Sequence, residues 1–245
     1  MGKYLKKFGT QADYEAAQTD LIIPNVSFIV SNDSVYYNTN MPPTPSHDFV
    51  EIGGIKWATM NVGANSVTDA GLYFQWGDTQ GYTASQVGSG EGQKYFDWTD
   101  YKYFADGGVT KYNGEDGLIT LEPSDDALVA AWGGNWRMPT ASEYVALGNA
   151  VNAVWTNDYQ GSGVAGLICT DKTDSSKVLF FPASGDANNG SVTNKNSEGL
   201  YWSSSLGIEC GETIGTEMAF SGSYIAWKSE SSERFHGFNI RGIIN

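Results

Sequence analysis

Few residues in this chain are of a type and spacing suited to covalent chemistry. There are two histidines: His47 follows a proline-rich run, and His236 lies in Glu233-Arg234-Phe235-His236-Gly237 near the end. An activated nucleophile needs such a base within hydrogen-bond reach. No GxSxG, HExxH, GxGxxG or phosphate-loop pattern marks a partner for either, and a surface or hydrogen-bonded role is expected for His236. The two cysteines, Cys169 and Cys210, are far apart and form no CxxC pair, so free thiols are expected. Zinc needs several Cys or His ligands close together; none cluster here, and no cofactor is expected. Calcium needs clustered oxygen ligands. Asp97, Asp100 and Asp106, then Glu115 and Asp116, then Glu122, Asp125 and Asp126 are such clusters. None fits an EF-hand loop, and in an acidic chain they read as solvated faces. Paired carboxylates for glycoside hydrolysis are arithmetically available among 28 acids, but no pair is singled out.

Composition points from catalysis to binding. Against 28 Asp and Glu stand 14 Lys and Arg, a formal charge of −14, which repels phosphate backbones and anionic membranes. No nucleic-acid partner is therefore expected, and no apolar run approaches the roughly 20 residues that span a bilayer, so no membrane insertion either. Arginine occurs only as Arg137, Arg234 and Arg241, expected as structural partners of carboxylates or carbonyls. The 30 glycines disfavour a helix-rich fold. The abundance of Gly, Ser, Thr, Asn, Trp and Tyr suits loops on a rigid frame, where aromatics give contact area at low entropic cost. A chain of 245 residues can bury roughly 70% of its unfolded surface.

The elements that must hold such loops can be placed along the chain. In residues 1–40 a short helix is expected over 11–17, capped by Thr10, followed by a hairpin of Asn25-Val26-Ser27-Phe28-Ile29-Val30 and Ser34-Val35-Tyr36-Tyr37. This small segment reads as an anchoring or assembly unit and a route to homo-oligomers. A stiff Pro-rich linker over 41–47 separates it from one domain over 48–245. There, Phe49-Val50-Glu51-Ile52 and Ile55-Lys56-Trp57-Ala58 flank Gly53-Gly54 as a hairpin. Residues 71–76 form a strand and 77–120 long loops. Ser124 should cap a helix over 125–132 that Gly133-Gly134 ends. Thr140 and Glu143 have capping-box spacing for a second helix over 141–149. Strands follow at 166–169, 178–181, 199–202, 217–220 and 237–241. The class is α+β, with two short helices, several short antiparallel strands and long loops.

Aromatic residues beside glycine, as in Tyr73-Phe74-Gln75-Trp76-Gly77 and Trp132-Gly133-Gly134-Asn135-Trp136, read as framework. Two later stretches differ. Residues 206–215 mix apolar side chains with glycines and acids, and 221–232 place Tyr224, Ile225 and Trp227 in polar company. Loops exposing such residues are binding-surface candidates.

Six ordered segments carry a resemblance: Trp57-Ala58-Thr59-Met60-Asn61-Val62-Gly63-Ala64, Tyr73 to Gly77, Trp136-Arg137-Met138-Pro139-Thr140 with Glu143, Phe181-Pro182-Ala183-Ser184-Gly185, Gly199-Leu200-Tyr201-Trp202-Ser203-Ser204 and Gly237-Phe238-Asn239-Ile240-Arg241. Together, over about 48–245, they resemble the Fibrobacter succinogenes major paralogous domain, related to the C-type lectin fold. Similar domains serve as variable proteins of diversity-generating retroelements in gut Bacteroides and their phages. The resemblance implies a non-enzymatic ligand- or receptor-binding protein with a variable C-terminal surface. It implies that Leu206, Gly207, Ile208, Cys210, Thr213, Ile214, Tyr224 and Ile225 are display positions, joined by Trp227 as a ligand-binding candidate. Trp202, Phe220, Phe238 and Arg241 would hold the scaffold. Diversification usually acts on adenines of Asn codons, which yields neither Trp nor Glu, so Trp227, Glu209 and Glu212 would be fixed or arise otherwise. The contact loops are accordingly 205–215 and 222–233.

Tyr4-Leu5-Lys6-Lys7-Phe8 and Pro24-Asn25-Val26-Ser27 also resemble leader segments on structural proteins of Bacteroides phages. The basic start lacks a following apolar stretch and does not read as a signal peptide. A virion protein that meets a protein or glycan receptor on a cell surface is the leading expectation. A secreted bacterial adhesin binding glycans, assisted by calcium, is the alternative; Glu122-Pro123-Ser124 only echoes the lectin Glu-Pro-Asn signature. A formylglycine-generating enzyme shares the implied fold, but Cys169 and Cys210 do not sit in that family's motif.

Overall fold

The computed structural model describes residues 27–31, 34–38, 47–207 and 213–244. The chain divides into two units, Met1–Ser46 and His47–Asn245. In the first, β1 (Ser27–Ser31) and β2 (Ser34–Asn38) pair antiparallel with Ile29 opposite Tyr36. The helix expected over 11–17, the linker up to Ser46, and the display positions Ile208 and Cys210 lie outside the described residues.

The second unit is α+β, with many short antiparallel strands in small sheets. β3 (Phe49–Ile52) and β4 (Ile55–Asn61) form the expected hairpin over Gly53 and Gly54, both at positive φ. Within 77–120 only two short strands appear, β5 (Phe104–Ala105) and β6 (Gly108–Val109). Helix α1 spans Ala127–Trp132. Its cap is Asp126, not Ser124: Pro123 starts a 3-10 turn over Pro123–Asp125, and the Asp126 carboxylate then accepts from the N–H groups of Leu128 and Val129. After β7 (Trp136–Arg137), α2 (Ala141–Ala150) begins in the expected capping box of Thr140 and Glu143. Arg137 grips Glu143 with two parallel bonds of 2.9 and 2.6 Å, which fixes the first turn.

Next come β8 (Val151–Thr156), β9 (Gly166–Asp171) and β10 (Val178–Pro182), a sheet in the order β10-β9-β8. A small hairpin pairs β11 (Asp186–Asn188) with β12 (Ser191–Thr193). The last sheet orders β13 (Glu198–Leu206), β14 (Ile214–Ser221) and β15 (Ile225–Glu233). The expected loop over 222–233 is therefore mostly a strand, paired with β14 through two register shifts. The expected strand over 237–241 forms only isolated bridges until β16 (Arg241–Ile244). β16 closes a sheet in the order β3-β4-β16-β7.

Among the described residues, three buried clusters fill the core, the smallest of them Tyr73, Val87, Phe96 and Ala187. Of the two larger, one gathers Trp76, Trp136, Trp202, Leu206 and Phe238; the other Trp57, Tyr144, Leu167, Tyr201, Phe220 and Ile243. The residues implied as scaffold, Trp202, Phe220, Phe238 and Arg241, are all buried.

Candidate functional site

Buried charge makes the frame around the last sheet rigid. Arg241 is wholly buried, and its guanidinium is satisfied by oxygens that carry no net charge: Asn61 Oδ1 at 3.0 Å and the carbonyls of Ala58, Thr59 and Phe180 at 2.9–3.0 Å. One side chain thereby ties β16 to β4 and β10. Arg234, also buried, donates to the carbonyls of Lys111 and Tyr112 and stacks over Trp76 at 5.0 Å. Both follow the expected structural role for arginine.

The acidic clusters are not all solvated faces. Asp125 is buried and takes Lys102 at 3.1 Å, Lys111 at 2.6 Å and the hydroxyls of Tyr103 and Tyr112. Burial pushes its carboxyl up, but Lys111, then the two tyrosines and Lys102, hold it well below the usual range. This knot closes the long 98–125 segment on itself, and Arg234, through the Lys111 and Tyr112 carbonyls, holds that segment to the frame. Burial pushes the Asp126 carboxyl up despite three backbone N–H donors. Asp100 likewise accepts from three backbone N–H groups and from Gln75. These carboxylates organise loops, a role that composition alone hides. Among the described residues, no three His, Cys, Asp or Glu side chains stand close enough to hold a metal ion.

The 98–125 segment ends by adding itself to β13: Leu206 N donates to the Ile119 carbonyl at 3.0 Å, and Leu121 N to the Ser204 carbonyl at 2.8 Å. On the other side, Ala141 N donates to Ser205 Oγ at 3.1 Å, which seats the start of α2 on the same strand. Between them opens a groove of about 410 Å³. Its walls are Ile119, Ala141, Val145 and Leu206; its rim is Ser142, Ser205 and Lys228 paired with Glu230 at 2.8 Å. Ile119 is 60% and Val145 40% exposed. Thr216 Oγ1 lies buried beneath, without a hydrogen-bond partner. No aromatic ring lines the groove, so it offers no stacking platform for a sugar; its shape and lining suit an aliphatic side chain.

The expected display residues are not brought together. Leu206 and Gly207 are buried: Leu206 belongs to the core, and a Cβ on Gly207 would lie 2.9–3.2 Å from Ile214 and Gly215 atoms. They are frame, although Leu206 also reaches the groove wall. Thr213 and Ile214 are partly exposed at the same end of the sheet. Tyr224 and Ile225, 43% and 38% exposed, stand at the opposite end of β14, about 20 Å away at ~3.3 Å per residue. Trp227 is half-buried against Gly148 of α2, where an added Cβ would meet its ring at 2.5–2.6 Å. It docks β15 on the helix. Ile119 and Val145 lie outside the expected contact loops, whereas Lys228 and Glu230 fall within the expected loop 222–233 without being singled out there. The signal for Val145 was present: Ala141, Tyr144 and Leu147 form the buried face of α2, which turns Val145 outward.

The remaining groups with chemical potential are held by neighbours. His236 Nδ1 faces Asp186 at 3.0 Å and Nε2 faces Asn188 at 3.4 Å, while the ring stacks on Phe235 at 4.7 Å. This is the hydrogen-bonded histidine expected from the sequence. Cys169 is a free, buried thiol whose pKa burial pushes up to about 12. Glu217 is fully buried in mid-β14; its Oε1 accepts from Ser231 at 2.9 Å and Ser232 at 3.1 Å, and its Oε2 has no partner. Among the described residues, no helix is long and apolar enough to cross a membrane. Compared with family models, with curated proteins and with solved structures, the chain finds no match.

Proposed function

We propose that this chain is a non-enzymatic receptor-binding protein of C-type-lectin-like design, carried on a phage particle and contacting a protein on a bacterial cell surface. The observation that carries this reading is the aliphatic groove between Ile119 and Val145, open on a frame that Arg241, Arg234 and Asp125 hold rigid. An exposed apolar concavity marks an interaction surface, and a pre-organised backbone lowers the entropic cost of binding there. The α+β architecture, with two short helices among the described residues and long pinned loops, supports the lectin-like design, and the leader-like residues at 4–8 and 24–27 support the virion setting. The contact surface is then the end of the last sheet bearing Thr213, Ile214 and the groove, rather than both loops together.

The test is retention of the labelled full chain on intact Bacteroides cells. Ile119→Asp and Val145→Asp should each reduce retention about tenfold or more, with melting unchanged because both side chains are exposed. Tyr224→Ser and Ile225→Ser should stay within about twofold. Protease treatment of the cells should abolish retention, and periodate should leave it intact. Equal retention by all four variants, or loss on periodate alone, would overturn the reading.

A further inference from the structure

His47 is the first residue of the second unit, and its ring is what holds it there. The neighbouring Asp48 is fixed through the backbone: its carbonyl accepts from the Thr59 N–H at 2.9 Å and from the Thr59 hydroxyl at 3.3 Å, where the β3–β4 pairing begins. Among the described residues, no hydrogen bond ties His47 itself. Its imidazole instead lies on the indole of Trp132, with centroids 3.7 Å apart and planes at 17°, and Trp136 meets it edge-on at 5.9 Å. Trp132 is the fixed partner. It ends α1 and packs on β16, where a Cβ added at Gly242 would meet its ring at 2.9 Å.

This seat suits the neutral ring. His47 Nε2 is buried and has no hydrogen-bond partner among the described residues. In the neutral tautomer with the proton on Nδ1 it is a bare acceptor, whereas in the imidazolium it becomes a second donor. The elements packed against it bring no carboxylate to receive that donor. Helix α1 reads Ala-Leu-Val-Ala-Ala-Trp, and on β7 the Arg137 guanidinium is engaged with Glu143 and the Met138 carbonyl. Asp48, next in the chain, is exposed. An imidazolium would gain a cation–π contact with Trp132. Burying a charged donor without an acceptor costs more than such a contact returns, and burial accordingly holds the His47 pKa below the ordinary histidine value.

We infer that His47 is an acid-released clasp on the chain where it enters the binding domain: the neutral ring is held on Trp132, and the imidazolium leaves the stack to hydrate Nε2. The bonds between Asp48 and Thr59 then become the first fixed point of the second unit. Acid thereby loosens the attachment of whatever precedes the domain, and neutral pH restores it. The sign follows from linkage: the stacked ring binds its proton less tightly than a free histidine, whose pKa is about 6.5. The clasp is therefore fully formed above that value and is lost as pH falls through the lowered one. The inference rests on the stack and not on what the groove binds.

Nuclear magnetic resonance of the full chain, titrated from about pH 8 to about pH 5, reads both the proton and the stack. The chain has two histidines, His47 and His236, and His47→Phe assigns them by removing one signal. At neutral pH the His47 ring protons should show Overhauser contacts to Trp132 and an upfield ring-current shift. Both should fall severalfold as His47 titrates, with a midpoint below that of an unstructured histidine. His47→Phe keeps a ring but takes no proton, so its contacts to Trp132 should be the same in acid as at neutral pH. A His47 that titrates at or above the ordinary value and keeps its contacts to Trp132 overturns the inference. So does a ring without those contacts at neutral pH. Loss of the contacts in acid by His47→Phe as well would assign the release to another group and overturn it too.

Discussion

The two ends of the β13–β14 hairpin both expose apolar side chains, yet they are built differently. At the end where β13 reaches Leu206, three elements meet: the Ile119 segment adds to the strand, α2 begins on Ser205, and β15 brings Lys228 and Glu230. The surface there is concave, and every wall is fixed by backbone hydrogen bonds or by the core. At the opposite end, Tyr224 and Ile225 sit at the tight β14–β15 connection, and the Tyr224 hydroxyl donates to Glu198 at 2.6 Å. Exposure of apolar side chains alone does not make a site; concavity and a pinned support distinguish one end from the other.

The largest break in this comparison comes from the element both ends share. Arg241→Met should cost about 3–5 kcal/mol, because it strands Asn61 Oδ1 and three carbonyls in the core. Arg241→Lys should recover little, since an ammonium cannot span oxygens on three segments. Chemical denaturation would read the loss. Because Arg241 ties β16 to β4 and β10, far from either end, both variants should weaken the groove and the Tyr224 end alike. A variant that melted normally would show that the frame is not what holds the groove open.

How much of this was legible in the sequence varies by element. The capping box of Thr140 and Glu143 and the Gly53-Gly54 hairpin are local, and local rules found them. The α+β class followed from glycine content and short apolar runs. Strand β15 reads as a loop in the sequence because Ile225–Glu233 shows no alternation of apolar and polar residues; its burial instead repeats every three residues, a pattern set by the register shifts around Glu217 and the contact with α2. The β11–β12 hairpin is absent from the sequence expectation although Asn189-Gly190 is a two-residue hairpin signal, and in the structure both residues take positive φ. The groove is legible only in part: Leu206 is an expected display position and Lys228 falls in an expected contact loop, but nothing in the sequence joins Ile119 and Val145 to them. Ile119, Val145, Leu206 and Lys228 meet only through tertiary pairing, and the expected display set instead joined residues close in sequence but about 20 Å apart along the sheet.

A smaller effect sharpens the contrast at the groove end alone. Gly148 sits inside α2, where replacement by alanine ordinarily stabilises a helix by about 0.5–1 kcal/mol. Here the new methyl would enter the Trp227 ring, so Gly148→Ala should destabilise by about 1–3 kcal/mol. Trp227 and Lys228 are adjacent on β15, so displacing the ring also moves one rim of the groove. Retention on Bacteroides cells, the assay of the proposed function, should fall more than stability does, while the nuclear magnetic resonance signals of Tyr224 should stay as they were. A stabilised Gly148→Ala would mean that β15 is free to shift on the helix.

The smallest effect lies midway between the ends, at Glu217. Burial pushes its carboxyl above the ordinary range, against the hydroxyls of Ser229, Ser231 and Ser232 that favour the anion. The sign follows from linkage. The folded state binds this proton more tightly than the unfolded chain, so stability from this residue is fully present below the ordinary glutamate pKa and is lost as pH rises through the elevated folded value. Glu217→Gln keeps the shape and the acceptor for Ser231 and Ser232 but removes the charge. Its melting temperature relative to wild type should therefore improve as pH goes from 4 to 8, whatever constant offset the new amide brings. Buried acids elsewhere, such as Asp125, cancel in this difference because both proteins carry them. A difference that stays flat over that range would mean Glu217 holds the same charge in both states. The buried Oε2 would then be a partnered anion, and the centre of β14 would be as firmly pinned as its groove end.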